Sequence, residues 1–177
     1  MGVVSPIKDW QVLVQMKEYL RERNFRNYLI FRVGVNLGLS VQDLLNLKVE
    51  DLLGKKIFIS GDCQIEISES LQEEIKRHLG GRTSGYLFIS AQGNPLSRFQ
   101  LYGILKHTAD AVGFSEPIGA ITLRKTFAYW AYRNRQIYLP LLSKYLNHHT
   151  VQHTLRYMEI KEDEKSETDI FLSAMDL

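Results

Sequence analysis

Most of the chain follows the 3.6-residue spacing of apolar positions that predicts amphipathic helices. Asp9 stands where it can cap a first helix, Gly38 marks the end of a second, and Ser40 with Asp43 has the spacing of a capping box that starts a third. The apolar positions of these helices are Trp10, Leu13, Val14 and Leu20, then Phe25, Tyr28, Leu29 and Val33, then Leu44, Leu45, Leu47 and Val49.

The second half continues this helical pattern between short breaks. Asn94 and Pro95 interrupt the chain before one helix, Thr122 is predicted to cap the next, and Pro140 suits the first turn of a later one. The apolar positions are Leu71, Ile75 and Leu79, then Phe99, Leu101, Ile104, Leu105 and Ala109, then Leu123, Phe127, Trp130 and Ala131, then Leu141, Leu142 and Tyr145.

Short runs of β-prone residues interrupt the helices in the middle of the chain. Ile57 to Ser60 and Cys63 to Ile67 flank Gly61 and Asp62, which predicts a tight hairpin, and Tyr86 to Ile89 is a candidate third strand. The fold class expected from these patterns is α+β and mainly α, with one small antiparallel sheet.

The size and composition fit one domain. A chain of 177 residues, 45% of them hydrophobic, can bury one sizeable core but not two, so we expect a domain over residues 1–160 and an acidic segment over 161–177. The single cysteine, Cys63, leaves no internal disulfide framework and fits a reducing compartment. With no signal-peptide pattern and no apolar run near the roughly 18 residues of a membrane span, the expected location is cytoplasmic, without a membrane partner.

Charge is distributed unevenly along the chain. Residues 97–158 hold 8 basic and 2 acidic residues, whereas residues 159–177 hold 2 basic and 7 acidic ones. Clustered Lys and Arg are typical of phosphate binding, because neutralising phosphates releases counterions. An ordinary solvated face would show the same balance, so charge alone indicates nucleic acid only weakly.

Three sequence boxes resemble those of the tyrosine recombinases, the phage integrase family. Asn36 to Leu47 is similar to the first box, a Gly-Leu pair followed by an arginine and a helix with Leu-x-Leu. Gly119 to Ala128 is similar to the second, His-x-Leu-Arg followed by His or Lys, Thr and Phe. Leu146 to His149 with Thr154 to Tyr157 is similar to the third, Leu-Gly-His and then Thr-x-x-Arg-Tyr. The resemblance spans about residues 10–160 and is greatest to short integrases that consist of the catalytic domain alone.

The resemblance implies a metal-free and cofactor-free attack on DNA. Enzymes of this family cut a phosphodiester with a tyrosine oxygen, which leaves a covalent 3′-phosphotyrosine and a free 5′-hydroxyl. Two arginines and a histidine stabilise the growing charge on the phosphate, and a hairpin lysine acts as general acid toward the leaving oxygen. Small-molecule substrates have no part in such a reaction.

Several of these family positions are substituted here. Tyr157 matches the nucleophile, Arg124 the second arginine and His148 the third-box histidine, but Ser40 stands at the first arginine and Ile121 at the second-box histidine. A serine cannot fork onto a phosphate as a guanidinium does, and we expect Ser40 to cap its helix and Ile121 to pack against the core. The hairpin turn, Ser60 to Cys63, offers no lysine; Lys55 and Lys56 precede it but a strand limits their reach.

The basic segment supplies the predicted DNA contacts, most of them to phosphates. They are Arg98, Gln100, Lys106, Lys125, Arg133, Arg135, Lys144 and Arg156, interleaved with Tyr102, Tyr129 and Tyr132. His149 and His153 are four apart, but no third ligand accompanies them, so no metal is expected.

Three functions remain open at this stage. The first is a DNA-binding protein of integration, recombination or their regulation in which cleavage through Tyr157 is strongly impaired; the second is an active integrase with a rearranged pocket. The third is an interaction subunit that joins an active recombinase through its tail and does not hold DNA tightly. Residues 161–177 are predicted to be an acidic linker and a C-terminal helix that packs on a neighbouring protomer or folds back on its own domain, and the apolar stripe of that helix is Ile170, Phe171, Ala174 and Leu177. Family members usually carry an N-terminal domain that clamps the far side of the DNA, and none is expected here, so binding should be weak without oligomerisation.

Overall fold

The computed structural model describes residues 4–60, 63–134 and 137–161, and its elements are mostly helices. In chain order they are α1 (Trp10–Arg23), α2 (Phe25–Leu37), α3 (Val41–Asn46), α4 (Val49–Leu52), β1 (Ile57–Ser60), β2 (Cys63–Glu66), α5 (Glu69–Leu79), α6 (Arg98–Ala111), α7 (Thr122–Arg133), α8 (Leu139–Leu146) and α9 (Val151–Tyr157). The predicted fold class, mainly α with one small antiparallel sheet, is confirmed. The tail stripe and the hairpin residues Gly61 and Asp62 lie outside the described residues.

Local hydrogen bonds set the helix starts, as the sequence predicted at Asp9 and Ser40. The Asp9 side chain accepts from the backbone of Gln11 and Val12, and Ser40 Oγ accepts from the backbone of Asp43. Pro140 lies in the first turn of α8, where its missing N–H costs no hydrogen bond.

Two helix predictions were wrong in detail. Thr122 is the first residue of α7 and not its cap, because its Oγ1 accepts a hydrogen bond from Gly119 N, which precedes the helix. The cap position is Ile121, whose side chain makes no capping hydrogen bond. The stripe after Ser40 is divided between α3 and α4, because the chain is extended at Leu47 and Lys48.

The sheet has two strands in the described part of the chain. β1 and β2 pair antiparallel, with Phe58 opposite Ile65, which confirms the hairpin. The predicted third strand at Tyr86 to Ile89 is wrong: this segment forms only two isolated bridges, Lys48 with Tyr86 and Ile89 with Pro95. Leu87 and Phe88 are fully buried in the core, and this burial, rather than a place in the sheet, explains why the segment is apolar.

The core connects the first half of the chain to α7, and α7 connects it to α8 and α9. Leu123 packs in the larger apolar cluster with α1, α2 and α5, whereas Phe127 and Ala128 pack in a second cluster with α8 and α9. Gly38 makes this close approach possible. Its φ of 61° is left-handed, and a Cβ there would lie 2.0 Å from Phe127 Cδ1. Among the described residues, no helix is long and apolar enough to cross a membrane.

Candidate active site

A cleft of about 650 Å³ lies where α3, α6, α7, α8 and α9 meet. It brings together residues of all three sequence boxes, and two of its lining residues, Ser40 and Tyr157, lie 117 positions apart in the chain. The lining residues that bear on its chemistry are Ser40, Asp43, Arg98, Ile121, Arg124, Tyr145, Asn147, His148 and Tyr157. The geometry therefore places Arg124, His148 and Tyr157 on one site, as the resemblance implied.

Arg124, in the first turn of α7, supports one side of the cleft. Its Nη2 donates to the carbonyl oxygens of Tyr145 at 3.4 Å and Leu146 at 3.2 Å, the last residues of α8. These carbonyls have no partner further along their own helix, and their partial negative charge favours a cation. Within the described residues, Nε and Nη1 of Arg124 make no hydrogen bond, so they can donate to an anion in the cleft.

His148 is held in the turn between α8 and α9. Its Nδ1 is hydrogen-bonded to Thr154 Oγ1 at 3.0 Å, and Thr154 Oγ1 also lies 3.3 Å from the Thr150 carbonyl oxygen. Burial, together with the charges of His153 and Arg124, lowers the pKa of His148 to about 4. His148 is therefore neutral at neutral pH, and it carries a positive charge toward a phosphate only after taking up a proton.

Tyr157, the last residue of α9, has its hydroxyl buried. The His148 ring meets the Tyr157 ring edge to face at 4.8 Å, and Lys125 Nζ lies 5.4 Å from the ring centroid. Tyr157 Oη has no hydrogen-bond partner among the described residues. Burial raises the pKa of Tyr157 to about 12, although the charge of Arg124 acts in the opposite direction. The Tyr157 ring thus lines the cleft while its hydroxyl is buried.

Asn147 occupies the position at which the third box of the family has glycine. It ends α8 with a φ of 61° and a ψ of 42°, in the left-handed region. Asparagine is one of the few residues besides glycine that adopts this conformation at modest cost. The substitution therefore preserves the turn that directs His148 into the cleft.

Ser40 and Ile121 stand where the resemblance places an arginine and a histidine. Ser40 caps α3, and its Oγ also donates to Asp43 Oδ2 at 2.6 Å, which confirms the predicted structural role. The prediction that Ile121 packs against the core is wrong, because 36% of its surface is exposed and it lines the cleft. The position at which the family has a histidine is therefore accessible from the cleft.

Arg98 lines the same cleft from the first turn of α6. The sequence placed it among the general DNA contacts, with no sign that it would meet Arg124. It is exposed and makes no hydrogen bond or ion pair within the described residues. The N-termini of α6 and α7 also lie at the cleft and add partial positive charge. Among the described residues that line the cleft, Asp43 is the one carboxylate.

Most other predicted DNA contacts are exposed. They are Gln100, Lys106, Arg133, Lys144 and Arg156, whereas Arg135 lies outside the described residues. Lys125 is an exception that corrects the prediction. Only 6% of its surface is exposed, and its Nζ donates to Val4 O and Glu159 Oε1, so it is not a surface phosphate contact. Lys55 and Lys56 are exposed and neither lines the cleft.

The three aromatic residues of the basic segment differ in exposure. Tyr102 is exposed, Tyr132 is half-buried and Tyr129 is buried. His149 and His153 are exposed, and His153 stacks on His148 with ring centroids 4.3 Å apart. In the part of the chain that the structure describes, no three His, Cys, Asp or Glu residues are grouped as metal ligands.

The fold and the three boxes define the class of protein. The sequence model of the phage integrase family matches residues 8–164, and the chain belongs to this family of tyrosine recombinases. It is similar to the probable integrase/recombinase YoeC of Bacillus subtilis (strain 168), with 37% identity over 171 residues, which cover 92% of this chain and 93% of YoeC.

Solved structures show the same fold at lower sequence identity. XerA recombinase superimposes with a TM-score of 0.73 and 21% identity over 90% of this chain, and XerH bound to its difH substrate before cleavage with 0.72 and 19% over 92%. The chain spans only 61% of the XerA chain and 53% of the XerH chain. At these identities the likeness shows the catalytic-domain fold alone.

Proposed function

We propose that this chain binds DNA in DNA integration or recombination, or in their regulation, and that its strand cleavage through Tyr157 is strongly impaired. One observation carries the proposal: Arg124, His148 and Tyr157 share a cleft in which Ser40 and Ile121 occupy the positions of the missing arginine and histidine. The cleft can hold a phosphate but offers few donors for the charge that develops in a cleavage transition state.

Each remaining group is also poorly prepared for cleavage. Neutral His148 lacks the second ring proton of an imidazolium, and the Tyr157 hydroxyl is buried with a raised pKa and has no hydrogen-bond partner among the described residues. In other enzymes, one lost oxyanion donor lowers kcat by about 100- to 1,000-fold, although such losses are not additive. Two lost donors and the lost hairpin lysine support very slow turnover.

DNA as the partner is supported by the charge of the cleft and by the relatives. Arg98 and Arg124 line the cleft, and residues 97–158 hold the excess of basic residues. XerH, which has the same fold, is bound to a DNA substrate in its structure. The single cysteine, Cys63, is buried, and its thiol donates to the Leu141 carbonyl oxygen, which fits our proposal of a cytoplasmic protein. We also propose that a second copy of this chain or an active recombinase supplies the remaining contacts to DNA.

Covalent capture on a nicked suicide substrate tests the impaired chemistry. With the Tyr157→Phe variant as a matched control, we expect only traces of covalent protein–DNA complex over hours. Abundant complex that disappears in Tyr157→Phe would contradict the proposal of impaired cleavage and leave DNA binding intact.

Mobility shifts at several salt concentrations test the DNA binding separately. We expect the logarithm of the affinity to fall linearly with the logarithm of the salt concentration, because phosphate contacts release counterions. The variant with Arg133→Glu and Arg135→Glu should abolish the shift. Salt-independent binding, or no binding at low salt, would favour the interaction-subunit function.

A second candidate, an active integrase with a rearranged pocket, is favoured by Arg98. This guanidinium lies on the cleft near the position of the missing arginine, since α6 packs against α3 and both Arg98 and Ser40 line the cleft. If Arg98 replaces the family arginine, covalent complex should form in the unaltered chain and be lost in Arg98→Ala. Arg21→Ala, which removes an exposed arginine on α1, is the matched control.

A further inference from the structure

The residues that follow Tyr157 are hydrogen-bonded to the N-terminal segment and to α7. Lys125 Nζ, on α7, donates to Glu159 Oε1 at 3.0 Å and to the Val4 carbonyl oxygen at 2.7 Å. Lys8 Nζ donates to the Glu159 carbonyl oxygen. Two lysines from separate segments therefore converge on the residue two positions after the tyrosine.

The backbone of Glu159 is in a conformation that its own residue type disfavours. Its φ is 57°, in the left-handed region. Glu159 N donates to Arg156 O and Ile160 N to Leu155 O, which is the helix-ending pattern in which glycine usually takes this position. A glutamate here is stabilised by what its side chain contacts, and that contact is Lys125.

The N-terminal segment provides a fixed base for this contact. Ile7 is fully buried, its N donates to Thr126 Oγ1 at 2.9 Å, and its carbonyl oxygen accepts from Trp130 Nε1 at 3.0 Å. Val4 and Ile7 are thus hydrogen-bonded to α7. Lys125 is itself a residue of α7, so its ion pair attaches Glu159 to the helix that also binds the N-terminal segment.

We infer that the Lys125–Glu159 ion pair is a positioning device that keeps the Tyr157 hydroxyl buried, and that Tyr157 reaches an anion in the cleft only when this pair opens. The side chains of the pair are 7% and 33% exposed, and Lys125 Nζ also faces the Tyr157 ring. Lys125 and Glu159 act on Tyr157 through its position and do not touch DNA. The chemical role of Tyr157 rests on the proposed function, whereas its burial does not.

Nitration by tetranitromethane in the absence of DNA, followed by peptide mass spectrometry, measures the exposure of Tyr157. In the unaltered chain Tyr157 should react far more slowly than Tyr138, which is 62% exposed. Glu159→Gln and Lys125→Met should each raise the Tyr157 rate about tenfold relative to Tyr138, because removing one partner of a largely buried pair leaves the other uncompensated. Lys17→Met, which breaks an exposed pair with Glu18, should leave it unchanged.

A third variant separates the ion pair from the backbone conformation. Glu159→Gly deletes the carboxylate and removes the left-handed strain together, and it should also raise the nitration rate. Protection that persists in all three variants would overturn the inference, and so would a rise in Lys125→Met alone, since Lys125 would then act only by packing. If Lys125→Met loses its far-UV circular dichroism, the two Glu159 variants decide. Because no DNA is present, the outcome is independent of DNA binding.

Discussion

The two walls of the cleft differ in how their residues are held. On the wall formed by α7, α8 and α9, Arg124 bonds the carbonyls of α8, and His148 packs on Tyr157. On the wall formed by the starts of α3 and α6, Ser40 caps α3, and Arg98 makes no hydrogen bond or ion pair with the described residues. The first wall keeps Arg124, His148 and Tyr157, and both Arg124 and His148 also make contacts that hold the wall together. The two missing donors are at Ser40, on the second wall, and at Ile121, which precedes α7 and is exposed.

Restoring the two substituted family positions should have the largest effect. The double substitution Ser40→Arg and Ile121→His returns two donors to an open part of the cleft, so covalent capture on a nicked substrate should rise by about 100-fold or more. Ile121→His alone should have a smaller effect at little structural cost, because Ile121 is partly exposed. Adding Tyr157→Phe must abolish the gain. An unchanged yield would mean that the hairpin lysine or the burial of Tyr157 limits cleavage.

Removing a guanidinium from either wall should weaken DNA binding by a smaller factor. We expect Arg98→Ala and Arg124→Ala each to raise the Kd about tenfold at low salt and to reduce the salt slope by about one, as for a charge-assisted phosphate contact. Arg21→Ala is the control. Because Arg124 also caps α8, only Arg124→Ala should lower the melting temperature. Equal destabilisation by both would contradict the contrast between the walls.

Ser40 should matter to stability and not to DNA binding. Ser40→Ala removes the cap of α3, which should lower the free energy of unfolding by about 1 kcal/mol in a denaturant titration and leave the Kd unchanged. Ser115→Ala, in an exposed loop, should change neither quantity. A weaker DNA complex in Ser40→Ala would show that the hydroxyl contacts the phosphate after all.

The pH dependence of DNA binding should give the smallest effect. A nearby phosphate favours the charged form of His148, so DNA raises its pKa from about 4 and binding takes up a proton. The affinity should therefore rise about two- to threefold from pH 7.5 to pH 5.5. His148→Asn should lose this dependence, whereas His149→Asn should keep it.

Without DNA, acid should act in the opposite direction on the fold. Burial lowers the pKa of both His148 and His78. The stability that their neutral forms contribute is present above the unfolded pKa near 6.5 and is lost as the pH falls toward the folded values. Melting temperatures measured from pH 7 to pH 4 should decline, and less steeply in His148→Asn.

What the sequence by itself determined is local. Asp9 and Ser40 cap helices through atoms within three residues of themselves, Pro140 starts α8, and Gly61 with Asp62 separates two short strands. The caps and turns depend on neighbours along the chain, so periodicity and local motifs are sufficient to predict them. That Arg124, His148 and Tyr157 would meet was implied by the family resemblance of the three boxes, and they do meet.

Only the tertiary structure decided the environment of each side chain. Lys125 counts as a basic residue in the sequence, but its partners are Val4 and Glu159, which are distant in the chain and make it a buried anchor. Ile121 is apolar, yet the packing of α7 leaves it at the cleft, and Arg98 joins Arg124 only because α6 packs on α3. Burial and ion pairing depend on which segments meet in space, and no local pattern encodes that.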